Sequence, residues 1–190
     1  MVNYLPPNAV ELMYFLLDSF KLDVKYILDM TLGNGKDAFK LLEKYDNTFL
    51  YGFDIQIDAI ENTHNKLYKV FPNDRFVLIN DDHQNVLSYI DKKVDLVIYN
   101  LGYLPGGDKN IKTCANSTIK SLDKVLNNLL NISGLVFIVS YTGHPGGSEE
   151  FDELQKYLEK LNQKEFQIIN FNFPNQTNYP PKLIVIERLS

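Results

Sequence analysis

The chain is poor in three things, and each absence narrows what it can be. It has one cysteine, Cys114, in 190 residues. No internal disulfide can form, and a lone thiol in a polar loop reads as incidental rather than nucleophilic. No apolar run approaches the roughly 20 residues of a membrane-spanning helix, and Met1 to Pro7 has neither the basic start nor the apolar core of a secretory signal. Positive charge is also in deficit: 19 Lys and Arg face 24 Asp and Glu, for a net charge of −5. A broad nonspecific nucleic-acid surface works through a basic excess and is not expected, which leaves room only for a small local patch. Repeats, linkers and low-complexity segments are missing as well. The expectation is a single cytoplasmic domain over residues 1–190, with no membrane association and no metal.

What is present is a regular alternation of short apolar runs and amphipathic stretches, at 45% hydrophobic content. Strands are predicted at Tyr26 to Leu28, Phe49 to Phe53, Arg75 to Ile79, from Val94, and at Leu135 to Val139, Phe166 to Phe173 and Leu183 to Arg188. Helices are predicted over Asn8 to Phe20, capped by Asn8 and covering a sheet edge, and over Lys36 to Lys44, Ile57 to Val70 and Asn116 to Leu130, with another starting at Ser148. Ser133-Gly134 is the expected stop before the fifth strand. Glu149 and Glu150 fall in a first helical turn, where acids complement the dipole without any catalytic role. Asn175 to Pro181 is too short for a crossover helix, so the last two strands should pair antiparallel. The expected fold is α/β and Rossmann-like: a seven-stranded, mostly parallel sheet with a C-terminal antiparallel hairpin and helices on both faces.

Two stretches carry candidate chemistry on the cofactor side. The first strand runs into Asp29-Met30-Thr31-Leu32-Gly33-Asn34-Gly35 ahead of a helix. Glycines there let backbone approach a ligand, and the helix start supplies free N–H groups. Asp54 ends the second strand about 20 positions on, where a carboxylate can grip a ribose diol; its plain alternative is a helix N-cap. Together they point to a nucleoside-type cofactor. The third strand ends in Asn80-Asp81-Asp82-His83-Gln84-Asn85, where Asp82 or its neighbour could bond an adenine amino group and His83 reads as a hydrogen-bonding support.

The stretch that the other elements would present is Val94 to Asp108, a strand that runs into Asn100-Leu101-Gly102-Tyr103-Leu104-Pro105-Gly106-Gly107-Asp108. An active-site edge and an ordinary tight connection both fit it. A second glycine-rich loop, Tyr141-Thr142-Gly143-His144-Pro145-Gly146-Gly147, follows the fifth strand. A terminal hairpin after five alternating strands is the layout of class I S-adenosylmethionine methyltransferases. Asn100-Leu101-Gly102-Tyr103 resembles their Asn-Pro-Pro-Tyr tetrad, with Leu-Gly in place of Pro-Pro, so loop rigidity must come from Pro105 and its surroundings. In that chemistry alignment matters more than strong acid or base. An alkyl amine must still lose a proton, for which Asp108 and His144 are candidates.

The set resembles one family, the YtqB/MnmM-like methyltransferases, which also carry an older label of rRNA methylases. The matching stretches are Asp29 to Asp37, Gly52 to Gln56, Asp82 to Asn85, Asn100 to Lys109, Gly143 to Gly147, and Asn175-Gln176 with Pro180-Pro181. The run from Asn100 to Lys109 is far more specific than any glycine motif. Ala38 stands where the family usually has Thr, and Met30 where it often has Ala, which alters packing near the cofactor. The resemblance implies S-adenosylmethionine held by Asp29, Thr31, Gly33, Asn34, Gly35, Asp54, Gln56, Asp82 and His83. It implies as acceptor the primary amine of 5-aminomethyl-(2-thio)uridine at the tRNA wobble position, faced by Asn100, Tyr103, Asp108 and His144. Tyr141, Lys109 and Lys112 would touch the anticodon stem-loop; Lys120 and Lys124 read better as a solvated helix face. It also allows a homodimer. Rival readings are methylation of rRNA or of a small-molecule amine, a nicotinamide-dependent oxidoreductase, and a non-catalytic cofactor-binding module.

Overall fold

The structure, a computed structural model, describes residues 4–102 and 113–190. Seven strands form one sheet in the order β3-β2-β1-β4-β5-β7-β6. They are β1 (Tyr26–Asp29), β2 (Phe49–Asp54), β3 (Phe76–Asn80), β4 (Val94–Leu101), β5 (Leu130–Ser140), β6 (Phe166–Phe171) and β7 (Lys182–Arg188). The strands from β3 to β5 pair in parallel, and β7 pairs antiparallel with both β5 and β6. The expected mostly parallel sheet with a terminal hairpin is therefore what the chain forms.

Side chains alternate across the sheet with period two, as a strand buried on both faces requires. Leu96 and Ile98 of β4, with Phe137 and Val139 of β5, point to the face covered by α1 (Ala9–Ser19), α2 (Lys36–Lys44) and α3 (Ile57–Leu67). Val97, Tyr99, Val136 and Ile138 point to the face covered by α4 (Ala115–Lys124) and α5 (Gly147–Leu158). Tyr99 is wholly buried and spends its hydroxyl on Ser121 Oγ at 2.8 Å, so its burial leaves no orphaned polar group.

Three local expectations are corrected. Asn8 does cap α1, accepting from the Glu11 N–H at 2.9 Å, but the helix packs over β5 and β7 rather than at a sheet edge. The helix predicted to Leu130 ends at Lys124 and continues as one wide π-turn over Val125–Leu129. Strand β5 begins earlier than Leu135: Leu130 pairs with Val94, the chain bulges at Ser133 (φ 61°), and the regular ladder resumes with Leu135 opposite Leu96. The Ser133-Gly134 pair thus makes a bulge within the strand instead of a helix stop.

Among the described residues no helix is long and apolar enough to cross a membrane. Phe137 lies on the interior strand β5 and is fully buried. Phe137→Ala should lower stability by about 3–5 kcal/mol. In urea this reads as a lower midpoint at unchanged slope.

Candidate active site

The site gathers at the carboxyl ends of β1, β2 and β4. Asp29 closes β1 and is 1% exposed. Its Oδ1 accepts from the Thr31 N–H at 3.2 Å, while Oδ2 has no partner and no contact with solvent. Burial pushes its pKa well up, and the neighbouring Asp37 carboxylate adds to the shift. Gly33 and Gly35 follow at φ 52° and 63°, the left-handed region that glycine enters without strain. A Cβ on Gly35 would lie 2.4 Å from Thr63 Cγ2, so α3 fits against this turn only because the side chain is missing. The Thr63 hydroxyl also donates to the Gly33 carbonyl at 2.9 Å.

Asp54 stands opposite the glycine turn. Its Oδ2 accepts from the Gly33 N–H at 2.8 Å and its Oδ1 from the Gln56 N–H at 2.9 Å. It does not cap α3, whose N-cap is Gln56 with no side-chain bond. Desolvation raises its pKa, and the backbone donors oppose that shift. With one N–H on each oxygen, a carboxylate keeps lone pairs for further donors such as a diol. Asp82 spends its oxygens on Gln84, accepting from the backbone N–H at 2.9 Å and from Nε2 at 2.9 Å, and so caps the short 3₁₀ turn His83–Ser88. His83 is 8% exposed and sets its ring edge-on to Tyr99 at 5.8 Å. Burial lowers its pKa, partly offset by Asp82, so the ring is neutral at pH 7 and its unpartnered Nδ1 is available for one bond. Asn34 is exposed at the rim of the glycine turn.

Asn100, near the end of β4, is held twice. Its backbone N–H donates to Thr31 Oγ1 at 2.6 Å, and its Nδ2 donates to Asp37 Oδ2 at 2.6 Å. Asp37 lies in the first turn of α2 and also accepts from the Tyr14 hydroxyl of α1. Leu101 O is taken by the Tyr141 N–H at 3.1 Å, and Gly102 O by the Thr113 N–H at 2.9 Å. The loop after β5 stands beside this edge: a Cβ on Gly102 would be 3.6 Å from Tyr141 Cβ and 3.8 Å from His144 Nε2. The Asp37 charge reaches Tyr141 too, whose pKa is raised first by burial and then by that carboxylate. The structure therefore brings Asp29, Thr31, Gly33, Gly35, Asp54, Gln56, Asn100, Tyr141 and His144 to one end of the sheet. Tyr103, Asp108, Lys109 and Lys112 lie outside the described residues. Lys124 donates to the Gln84 carbonyl and fastens α4 to the 3₁₀ turn, a structural use.

Sequence reasoning missed Asp37 and Tyr14 as members of the site. Asp37 looks like any first-turn acid, and Tyr14 like one more residue of an amphipathic helix. It also understated Glu150, which is 4% exposed and accepts from Thr113 Oγ1 at 2.8 Å and Thr118 Oγ1 at 2.9 Å, pinning α5 to the start of α4. Only the adjacency of β1 and β4 in the sheet could have pointed to Asp37. Among the described residues no cluster of three or more His, Cys, Asp or Glu could hold a metal.

The acceptor groups fit a cationic nucleoside cofactor. A buried carboxylate oxygen without a partner calls for a positive donor, and the diol position at Asp54 keeps acceptor capacity. Asp29 binds its proton more tightly folded than unfolded, so its contribution to stability is fully present below the usual carboxylate range. It is lost as pH rises from there through the raised folded value. Asp29→Asn should remove this loss while weakening the cofactor site. The melting temperature of the ligand-free variant, relative to wild type, should climb between pH 4 and pH 8. S-adenosylhomocysteine affinity should fall about 10- to 100-fold, the weight of one charged hydrogen bond, as read by calorimetry.

Comparison with known proteins agrees with this geometry. Residues 50–187 match the family described as "Putative rRNA methylase". A protein of Arabidopsis thaliana named "tRNA (mnm(5)s(2)U34)-methyltransferase, chloroplastic" is 31% identical over 173 residues, 85% of this chain. The chain spans 63% of that plant protein's length. A crystal structure from Clostridium thermocellum, described as a "putative rRNA-methylase", superposes with a TM-score of 0.90 at 37% identity, covering 100% of both chains. A Streptococcus mutans "putative methyltransferase" in complex with SAH superposes at 0.84 with 30% identity, again over 100% of both. The matched span, the strand order and the glycine turn facing Asp54 agree, and the chain belongs to this rRNA methylase family of class I S-adenosylmethionine-dependent methyltransferases.

Proposed function

We propose that the chain is an S-adenosylmethionine-dependent N-methyltransferase. Its acceptor is the primary amine of 5-aminomethyl-(2-thio)uridine at tRNA wobble position 34, and its product is the 5-methylaminomethyl nucleoside. The observation that carries this reading is the similarity to the plant wobble-uridine enzyme over 85% of the chain, joined to an edge at Asn100 suited to a nitrogen acceptor. The cofactor supplies an electrophilic methyl group on a sulfonium.

Every other requirement falls on side chains of this chain. Asp29 receives the cofactor's ammonium, and Asp54 receives the ribose hydroxyls. Transfer then needs a neutral amine with its lone pair in line with the methyl group. The Asn100 Oδ1 is the acceptor that can hold an amine N–H and aim that lone pair. Leu101 O is already engaged by Tyr141 N–H, so this alignment rests mainly on the side chain. His144, beside Gly102, and Asp108 are the groups proposed to take the ammonium proton. The base itself is exposed and unstacked in an anticodon loop, the form of RNA that proteins read with aromatic faces, and Tyr103 and Tyr141 are the faces proposed. A net charge of −5 suits recognition of one displayed nucleotide better than a grip on a long duplex.

The family description favours a second reading, methylation of an rRNA base. Purified protein, S-adenosylmethionine and tRNA carrying 5-aminomethyl-2-thiouridine should yield the methylamino nucleoside by mass spectrometry of the digested RNA. Methylation of ribosomal RNA but not of this tRNA would replace the first reading with the second. Asn100→Ala should lower kcat/KM by about 100-fold, the scale of a misaligned acceptor. Alanine at both Asp108 and His144 should abolish turnover at neutral pH, and near wild-type activity there would remove them from the mechanism.

A further inference from the structure

We propose that Asp37 is a positioning residue for methyl transfer, whose carboxylate fixes the carboxamide of Asn100 with its oxygen toward the acceptor amine. The inference rests on the function proposed above and adds a part that the tetrad resemblance does not contain. An asparagine amide is nearly symmetric in shape, and its two ends differ only in what they can bond. Turned one way, Asn100 offers an oxygen to the amine N–H; turned the other, it offers an NH₂ group, which cannot accept from an amine and crowds its hydrogens. A site built on Asn100 therefore needs something that decides the flip.

Asp37 decides it. An ionised carboxylate only accepts, so the group facing it at 2.6 Å must be Nδ2. The residue cannot swing away as a whole, because its backbone N–H is fastened to Thr31 Oγ1 at 2.6 Å. Asn100 Oδ1 accepts no hydrogen bond among the described residues. Asp37 is itself held from behind: the Tyr14 hydroxyl donates to its other oxygen, and Lys40 Nζ lies 4.0 Å over the Tyr14 ring. Burial, followed by the charge of Asp37, raises the pKa of Tyr14, so it stays a phenol and a donor at any working pH. The negative charge of Asp37 also falls in the first turn of α2, where the helix dipole favours it. The relay Tyr14–Asp37–Asn100 thus spans α1, α2 and β4 and ends on the one acceptor atom that the reaction needs.

Asp37→Asn keeps the shape and removes the rule. Tyr14 would bond the new carboxamide oxygen, turn its NH₂ toward Asn100, and drive Asn100 into the wrong flip. The expected result is a kcat about 10-fold or more below wild type, a loss that persists at saturating cofactor; because Asp37 also acts on the charge of Asp29, a change in S-adenosylhomocysteine affinity accompanies it without accounting for it. In an Asn100→Ala background the same substitution should cost kcat at saturating cofactor little further, since the aim of the acceptor runs from Asp37 through Asn100. A wild-type kcat at saturating cofactor, a loss confined to cofactor affinity, or fully additive losses in the double variant would each overturn the proposal. Should Asp37→Asn fail to fold, Tyr14→Phe carries the same test: a lower kcat at unchanged affinity supports the relay, and an unchanged kcat overturns it. A substrate-free readout separates this idea from the tRNA reading. The Asn100 side-chain amide signal in a nitrogen–proton NMR spectrum, assigned by its disappearance in Asn100→Ala, should shift strongly in Asp37→Asn. If it does not move, the relay is wrong whatever the substrate; if it moves while no tRNA is methylated, only the substrate assignment falls.

Discussion

The hydrogen bond from the Asn100 N–H to Thr31 Oγ1 joins the two halves of the site, and the remaining site geometry is arranged around it. Strands β1 and β4 are parallel neighbours, but the chain leaves them toward opposite faces: α2 follows β1 on one side, and α4 follows β4 on the other. A crevice opens where neighbouring strands part in this way. Its two walls are unrelated in sequence, one built by the glycine turn after β1 and one by the residues ending β4. The threonine hydroxyl closes the gap between them. It sets the distance between the wall proposed to take the cofactor and the wall proposed to aim the acceptor, a distance to which in-line transfer is sensitive on the ångström scale.

Charge is the second constraint. Asp29, Asp37 and Asp54 crowd one sheet edge, and burial raises the pKa of Asp29 and Asp54. Each is handled differently. Asp54 meets a backbone N–H on each oxygen and keeps acceptor capacity beside them. Asp37 meets a phenol and an amide. Asp29 has one donor and an empty second oxygen, so it is the carboxylate left for a positive ligand to complete. Leaving it incomplete costs stability in the free chain, a cost that a ligand bound as proposed would return as affinity. The same negative edge repels phosphates, so a nucleic-acid substrate has to be held by its base at this site and by its backbone elsewhere.

The fold was legible because period-two alternation along Leu96–Tyr99 and Phe137–Val139 survives in a sheet buried on both faces, and because Asn175 to Pro181 is too short to cross over. Of the site, the glycine turn and Asp54 were legible because their spacing follows from one strand-turn-helix-strand unit. What failed to show is whatever depends on contacts between distant segments. Tyr14, Asp37 and Asn100 are 23 and 63 positions apart, and nothing local marks the first two. The β5 start was misjudged for a local reason: Ser133 adopts φ 61°, a conformation that its residue type seldom takes, and the bulge it makes looks like an ordinary helix stop.

At Leu101-Gly102 the chain lacks the two prolines of the tetrad it resembles, and Pro105, the expected source of stiffness, lies outside the described residues. Two prolines would stiffen this segment covalently by fixing φ. Here stiffness comes from bonds to other elements: Leu101 O to the Tyr141 N–H, and Gly102 O to the Thr113 N–H. Gly102 is not forced by backbone, since its φ is not positive, nor by space, since a Cβ there would meet Tyr141 and His144 only at ordinary contact distances. Without a side chain, Gly102 sets its backbone close against the loop carrying Tyr141 and His144. A proline pair needs no partner, whereas this arrangement needs β5 and its loop in register with β4. The acceptor side of the site is therefore coupled to the β4–β5 ladder, and through Thr113 and Glu150 to the start of α5. Substitutions that loosen that ladder should disturb catalysis before they disturb cofactor binding, because Asp29, the glycine turn and Asp54 hang on β1 and β2 instead.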